Sequence, residues 1–118
     1  MAVVFWSKTN AGGDGWPLST QFNQSYDLND SGSPVPNDTA SSCTIVDASA
    51  GTTIYVYDSP DASTSDDWAE IQVVSNVSAP VVVSTFENST SYGGGSVKVT
   101  YYKKNGLNGK VSNIKITT

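Results

Sequence analysis

The chain has 118 residues, the size of one domain, with 37% hydrophobic and only 14% charged residues and just three Leu, so helix-bundle composition is missing. Six Lys plus Arg against eleven Asp plus Glu leave a net charge of −5, which disfavours nucleic acid and anionic membranes as partners and suits a cation. The chain has no His and a single Cys, Cys43, which removes zinc and Ser-His-Asp chemistry, rules out an intramolecular disulfide and favours a reducing compartment.

Strand signals follow one another along the chain. β-Branched and aromatic runs predict strands over 2–6, 43–48, 52–58, 68–74, 79–86, 96–104 and 111–117. In "SVKVTYY" Val97, Val99 and Tyr101 share one face, and in "NIKIT" Ile114 and Ile116 do so, as half-buried strands require. "DDWAEIQ" is read as strand rather than a capped helix, because Ile71, Val73 and Val74 continue in strand fashion. Between these runs lie the turn clusters "TNAGGDG", "NDSGSPVPND", "SPDASTSDD", "NSTSYGGG" and "KNGLNG". Seven strands with such turns predict an all-β, antiparallel β-sandwich.

The start "MAVVFWSKTN" has no charged segment leading into a long apolar stretch, and no run approaches the roughly 18 apolar residues of a membrane span. A soluble chain is expected, cytoplasmic or exported without a visible signal peptide. Five Asn-X-Ser/Thr triplets, at Asn23, Asn29, Asn37, Asn76 and Asn88, are what chance gives in a chain this rich in Asn, Ser and Thr.

The sequence repeats itself. "VVFWSKTNAGG" pairs with "IYVYDSPDAST", each a strand ending in an aromatic (Trp6, Tyr57) before a polar hairpin. "NDTASSCTIV" then pairs with "NGKVSNIKIT", each an Asn-x-x-x-Ser loop running into a strand. Asn37 lies 31 positions after Trp6, whereas Asn108 lies 51 after Tyr57, so the second half carries an insertion of about 20 residues between Val74 and Tyr101.

In these features the chain resembles the βγ-crystallin family, whose domain has two Greek-key motifs and whose calcium-binding members carry Asn/Asp, Asn/Asp, X, X, Ser/Thr, Ser once per motif. Residues 37–42, "NDTASS", match every fixed position, and residues 108–113, "NGKVSN", match at Asn108 and Ser112. The hairpins depart from the family pattern, with Ala11 where a second aromatic is usual and neither Ala62 nor Thr64 fitting. The resemblance implies a Greek-key sandwich with one key over 2–48 and a second over 52–117, interrupted by an insertion around 75–100.

It also implies calcium, a hard cation served by carbonyl, hydroxyl, carboxylate and water oxygens. Carried over, one site takes the Ser7 carbonyl, the Thr39 carbonyl and the Ser41 hydroxyl. The other takes the Asp58 carbonyl, the Lys110 carbonyl, the Ser112 hydroxyl and the carboxylate of Asp38, which crosses from the first motif. Gly109 has no side chain to send back, so the two sites should differ in affinity.

Simpler readings compete with each assignment. "NDTASS" standing alone is an Asx turn before a strand, and the repeat is what favours metal. Asp58, Asp61, Asp66 and Asp67 offer a further calcium loop after Tyr57 but read as a solvated loop tip, and Cys43 reads as a small core residue. The function expected is a non-enzymatic calcium-binding protein, the ion stabilising the fold and supporting calcium-dependent adhesion or self-association, with itself or another protein as partner. The alternative is a lectin-like sandwich that stacks a glycan on Trp16 or Tyr92. A small toxin or protease inhibitor is a further alternative, disfavoured by the single Cys.

Overall fold

The chain forms ten strands among the described residues of the computed structural model, which are 1–18 and 23–118, and most of them alternate apolar with polar residues. They are β1 (Ala2–Lys8), β2 (Gly12–Leu18), β3 (Gln24–Asp27), β4 (Ser42–Val46), β5 (Thr53–Tyr57), β6 (Trp68–Val73), β7 (Val81–Val83), β8 (Thr90–Tyr92), β9 (Val97–Tyr102) and β10 (Asn113–Thr117). All pair antiparallel, in a four-stranded sheet of order β2-β1-β4-β7 and a six-stranded sheet of order β3-β10-β5-β6-β9-β8.

The order has a two-fold logic. β1 and β2 form a hairpin, β3 passes to the opposite sheet and β4 returns beside β1. β5 and β6 repeat the hairpin, β7 passes to the first sheet and β10 returns beside β5. A fourth strand returning beside the first is the Greek-key connection. Each sheet therefore borrows a strand from the other half, and neither half could close its own sheet alone. The β8–β9 hairpin extends the second sheet at its edge.

The inward faces make one core. Val3, Phe5, Cys43, Ile45 and Val83 of the first sheet bury against Ile54, Val56, Ile71, Val99, Ile114 and Ile116 of the second. Phe86, outside any strand, is fully buried with its ring 6.3 Å from that of Phe5. Replacing it by Ala should cost about 3–5 kcal/mol, the usual penalty for emptying a buried aromatic site. On the outer face of the second sheet Trp68 stacks on Tyr102 at 4.1 Å and on Tyr57 at 6.0 Å, across three neighbouring strands.

Three strands lack the expected pattern. "GGDGWPL", whose first residues fall in the turn cluster "TNAGGDG", is β2, and Trp16 lies in it opposite Phe5. Its glycines are there for room: a Cβ on Gly15 would come within 2.7 Å of the Trp6 ring. "QSYD" (β3) and "TSY" (β8) are short edge strands whose polar residues carry no period. In the predicted strand over 79–86 only Val81–Val83 pairs. Among the described residues no helix is long and apolar enough to cross a membrane.

Candidate metal centre

The loop before β4 and the loop before β10 meet in a reciprocal pair of backbone hydrogen bonds. Asp38 N–H donates to the Val111 carbonyl at 3.1 Å, and Gly109 N–H donates to the Ala40 carbonyl at 2.9 Å. Each loop is also tied to its own half. Ser41 N–H donates to the Trp6 carbonyl at 2.8 Å, and Ser112 N–H to the Tyr57 carbonyl at 2.7 Å. Residues 38 and 109, 40 and 111, and 41 and 112 thus play equivalent parts.

Position two of each motif has left-handed backbone, φ 56° at Asp38 and 77° at Gly109. Asp and Gly are among the residues that tolerate this conformation best. It aims the side chain at the other loop: Asp38 Oδ1 accepts from the Ser112 hydroxyl at 3.3 Å, and a Cβ built on Gly109 would lie 4.0 Å from Ser41 Oγ. One loop receives a carboxylate and the other receives nothing.

Around Ser112 negative charge gathers. The Asp58 carboxyl is pushed up from its ordinary value by burial first and by Asp66 next, with Asp38 and Asp67 adding and Lys110 opposing. Lys110 is itself exposed. Around Ser41 the donors are uncharged. The Ser41 hydroxyl donates to the Thr39 carbonyl at 3.5 Å, Thr39 Oγ1 donates to the Pro36 carbonyl, and Ser7 Oγ accepts from Asp14 N–H at 2.9 Å.

This donor chemistry fits calcium. It consists of hard oxygens, and a hydroxyl and a carboxylate oxygen 3.3 Å apart are spaced like neighbouring ligands on an ion bound at about 2.4 Å. Among the described residues no three His, Cys, Asp or Glu side chains form a metal-binding group, so carbonyls and hydroxyls would have to supply most of the coordination. The structure brings Asp38 and Ser112 together directly. It sets Thr39 beside Ser41 on the first loop, with Ser7 one residue beyond Trp6, and places Asp58 and Lys110 on the segments flanking Ser112.

Several residues hold these loops through contacts that the motif does not specify. Ser42 Oγ donates to the Lys8 carbonyl at 2.6 Å and accepts from Ala11 N–H at 3.0 Å, clamping the first hairpin to its loop. Asn113 does the same for the second with a longer arm, its Nδ2 donating to the Pro60 carbonyl at 2.8 Å. Asp67 corrects the picture of a solvated acidic tip. It is 2% exposed and accepts from the Tyr101 hydroxyl, from Asn105 N–H at 2.8 Å and from Gly106 N–H at 2.7 Å. Asp61 keeps the solvated character expected of it, its carboxyl held below the ordinary value first by the Ser59 hydroxyl.

Trp16 and Tyr92, the platforms of the lectin-like alternative, are partly buried and packed against the core. Cys43 is fully buried, and burial pushes its thiol well above the usual range, leaving it unreactive.

No family model matches this chain, and no curated protein matches it. Two solved structures are similar to it, a single and a double threonine-to-serine mutant of a βγ-crystallin domain from Clostridium beijerinckii. The first is 20% identical, with 97% of this chain and 98% of that one covered, and the second is 21% identical, with 99% and 97% covered. Both have a TM-score of 0.48.

Proposed function

We propose that this chain is a non-enzymatic calcium-binding protein of the βγ-crystallin type, in which calcium at the paired loops stabilises the fold. The observation that carries the reading is the Asp38 carboxylate lying against the Ser112 hydroxyl of the other loop, with Gly109 as its side-chain-free counterpart. The two loops come from different halves, so an ion bridging them ties together segments that unfolding separates. Binding only the folded state contributes about 2.7 kcal/mol when calcium is at a hundred times its Kd.

The absence of His and the inert Cys43 support a non-enzymatic role. Calcium-dependent self-association or adhesion is the use we attach to it, because bound calcium would lower the self-repulsion of a chain of net charge −5. The glycan alternative loses its support with Trp16 and Tyr92 packed against the core.

Thermal unfolding of metal-stripped protein tests the reading. Calcium should raise Tm, and magnesium, smaller and reluctant to shed water, should raise it far less. Equal shifts from both ions would show general charge screening and contradict specific binding.

A further inference from the structure

The stretch linking β7 to β8 has no counterpart in the first half, and it reaches the second cation loop. Phe86 pins it to the core beside Phe5, and the Ser84 carbonyl accepts Asn10 N–H at 2.9 Å. From this anchored base Glu87 Oε2 accepts two successive backbone N–H groups of the loop, Leu107 at 2.9 Å and Asn108 at 2.6 Å. The Asn108 side chain completes the contact, its Oδ1 accepting Phe86 N–H at 3.1 Å and its Nδ2 donating to Thr85 Oγ1 at 2.6 Å.

Among the described residues no carboxylate holds the first loop in this way. Asn37, the counterpart of Asn108, has a buried Oδ1 with no hydrogen-bond partner among the described residues. Hydrogen bonds to an ionised carboxylate are roughly twice as strong as neutral ones, so a carboxylate holding two adjacent amides fixes the local backbone firmly. Two residues further on the same loop presents the Lys110 carbonyl, and then the Ser112 hydroxyl.

We propose that Glu87 is the positioning residue of the second cation loop, setting the backbone of residues 107–112 before calcium arrives. The proposal rests on the calcium reading. Glu87 does not touch the ion; it acts through Leu107 and Asn108, and the β7–β8 link serves to carry it there.

The test is isothermal titration of the metal-stripped wild type, Glu87→Ala and Glu87→Gln with calcium. Asp38→Ala identifies which of two binding events belongs to the Ser112 site. In Glu87→Ala that event should weaken about tenfold or more, as losses of supporting contacts around a metal do, while the other stays within about twofold. Glu87→Gln keeps an acceptor oxygen and should show a smaller weakening confined to the same event. In metal-free Glu87→Ala the Leu107 and Asn108 amides should also lose hydrogen-exchange protection. Equal weakening of both events, or no change in either, overturns the positioning role while leaving the calcium reading intact. A wild type that binds no calcium overturns the calcium reading and this proposal with it. If Glu87→Ala does not fold, Glu87→Gln decides by the same split.

Discussion

The two loops share their backbone frame and differ in everything attached to it. Residues 36–41 and 107–112 exchange equivalent hydrogen bonds and share left-handed backbone at position two. Yet the second loop receives the Asp38 carboxylate, rests on Glu87 and adjoins a turn held by the buried Asp67, whereas the first has neutral oxygens. A repeated backbone thus supplies two places for an ion, and side chains from outside the repeat decide how well each is equipped.

Among changes that probe this difference between the loops, the largest expected effect comes from removing support on the second side. Asp67→Ala would leave the Tyr101 hydroxyl and the Asn105 N–H without their acceptor and the Gly106 N–H with the Tyr101 oxygen alone, costing about 3 kcal/mol in urea unfolding of the metal-free protein. Gly109→Asp tests the asymmetry from the other direction. A non-Gly residue in left-handed backbone costs about 1–2 kcal/mol, less for Asp, and Asp38 already adopts it. Metal-free stability should therefore fall by about 1 kcal/mol or less while calcium binding around Ser41 strengthens.

Tyr101 gives a pH test of the same support. Burial first, with the Asp67 hydrogen bond adding, pushes its hydroxyl up to about 12, so the folded state keeps a proton that the unfolded state loses near pH 10. Its contribution to stability is complete below about pH 10 and is lost as pH rises toward 12. Tyr101→Phe should flatten that alkaline fall in unfolding experiments. The smallest effect belongs to the exposed tip: Asp61→Asn with Asp66→Asn should shift calcium affinity by about twofold or less, and only at low salt.

The sandwich was legible where strands are half-buried. The alternation in Val97–Tyr102 and in Ile114 and Ile116 reports two chemically different faces, and pairing follows from it. β2 was not legible, because Gly15 answers to the Trp6 ring packed over it, a contact across a hairpin that local propensity does not record. At the site, the repeat marked both loops, since a spacing can be compared with itself, while the crossing of Asp38 was an expectation carried by the family resemblance and not by the spacing. The contacts of Glu87, Asp67 and Ser42 were missed for one physical reason. Each acts 20 to 39 residues away in sequence, through backbone amides or carbonyls that any residue presents, so nothing at the receiving end marks the partner.

The crossing of Asp38 is the central claim, and calcium titration of the metal-stripped wild type against Asp38→Ala tests it most directly. The wild type should show two binding events of unequal affinity, and the variant should lose the tighter one while the event around Ser41 persists. If Asp38→Ala keeps the tighter event and the Asp61, Asp66 double variant abolishes it, the ion binds the acidic hairpin after Tyr57 and the paired-loop account is wrong.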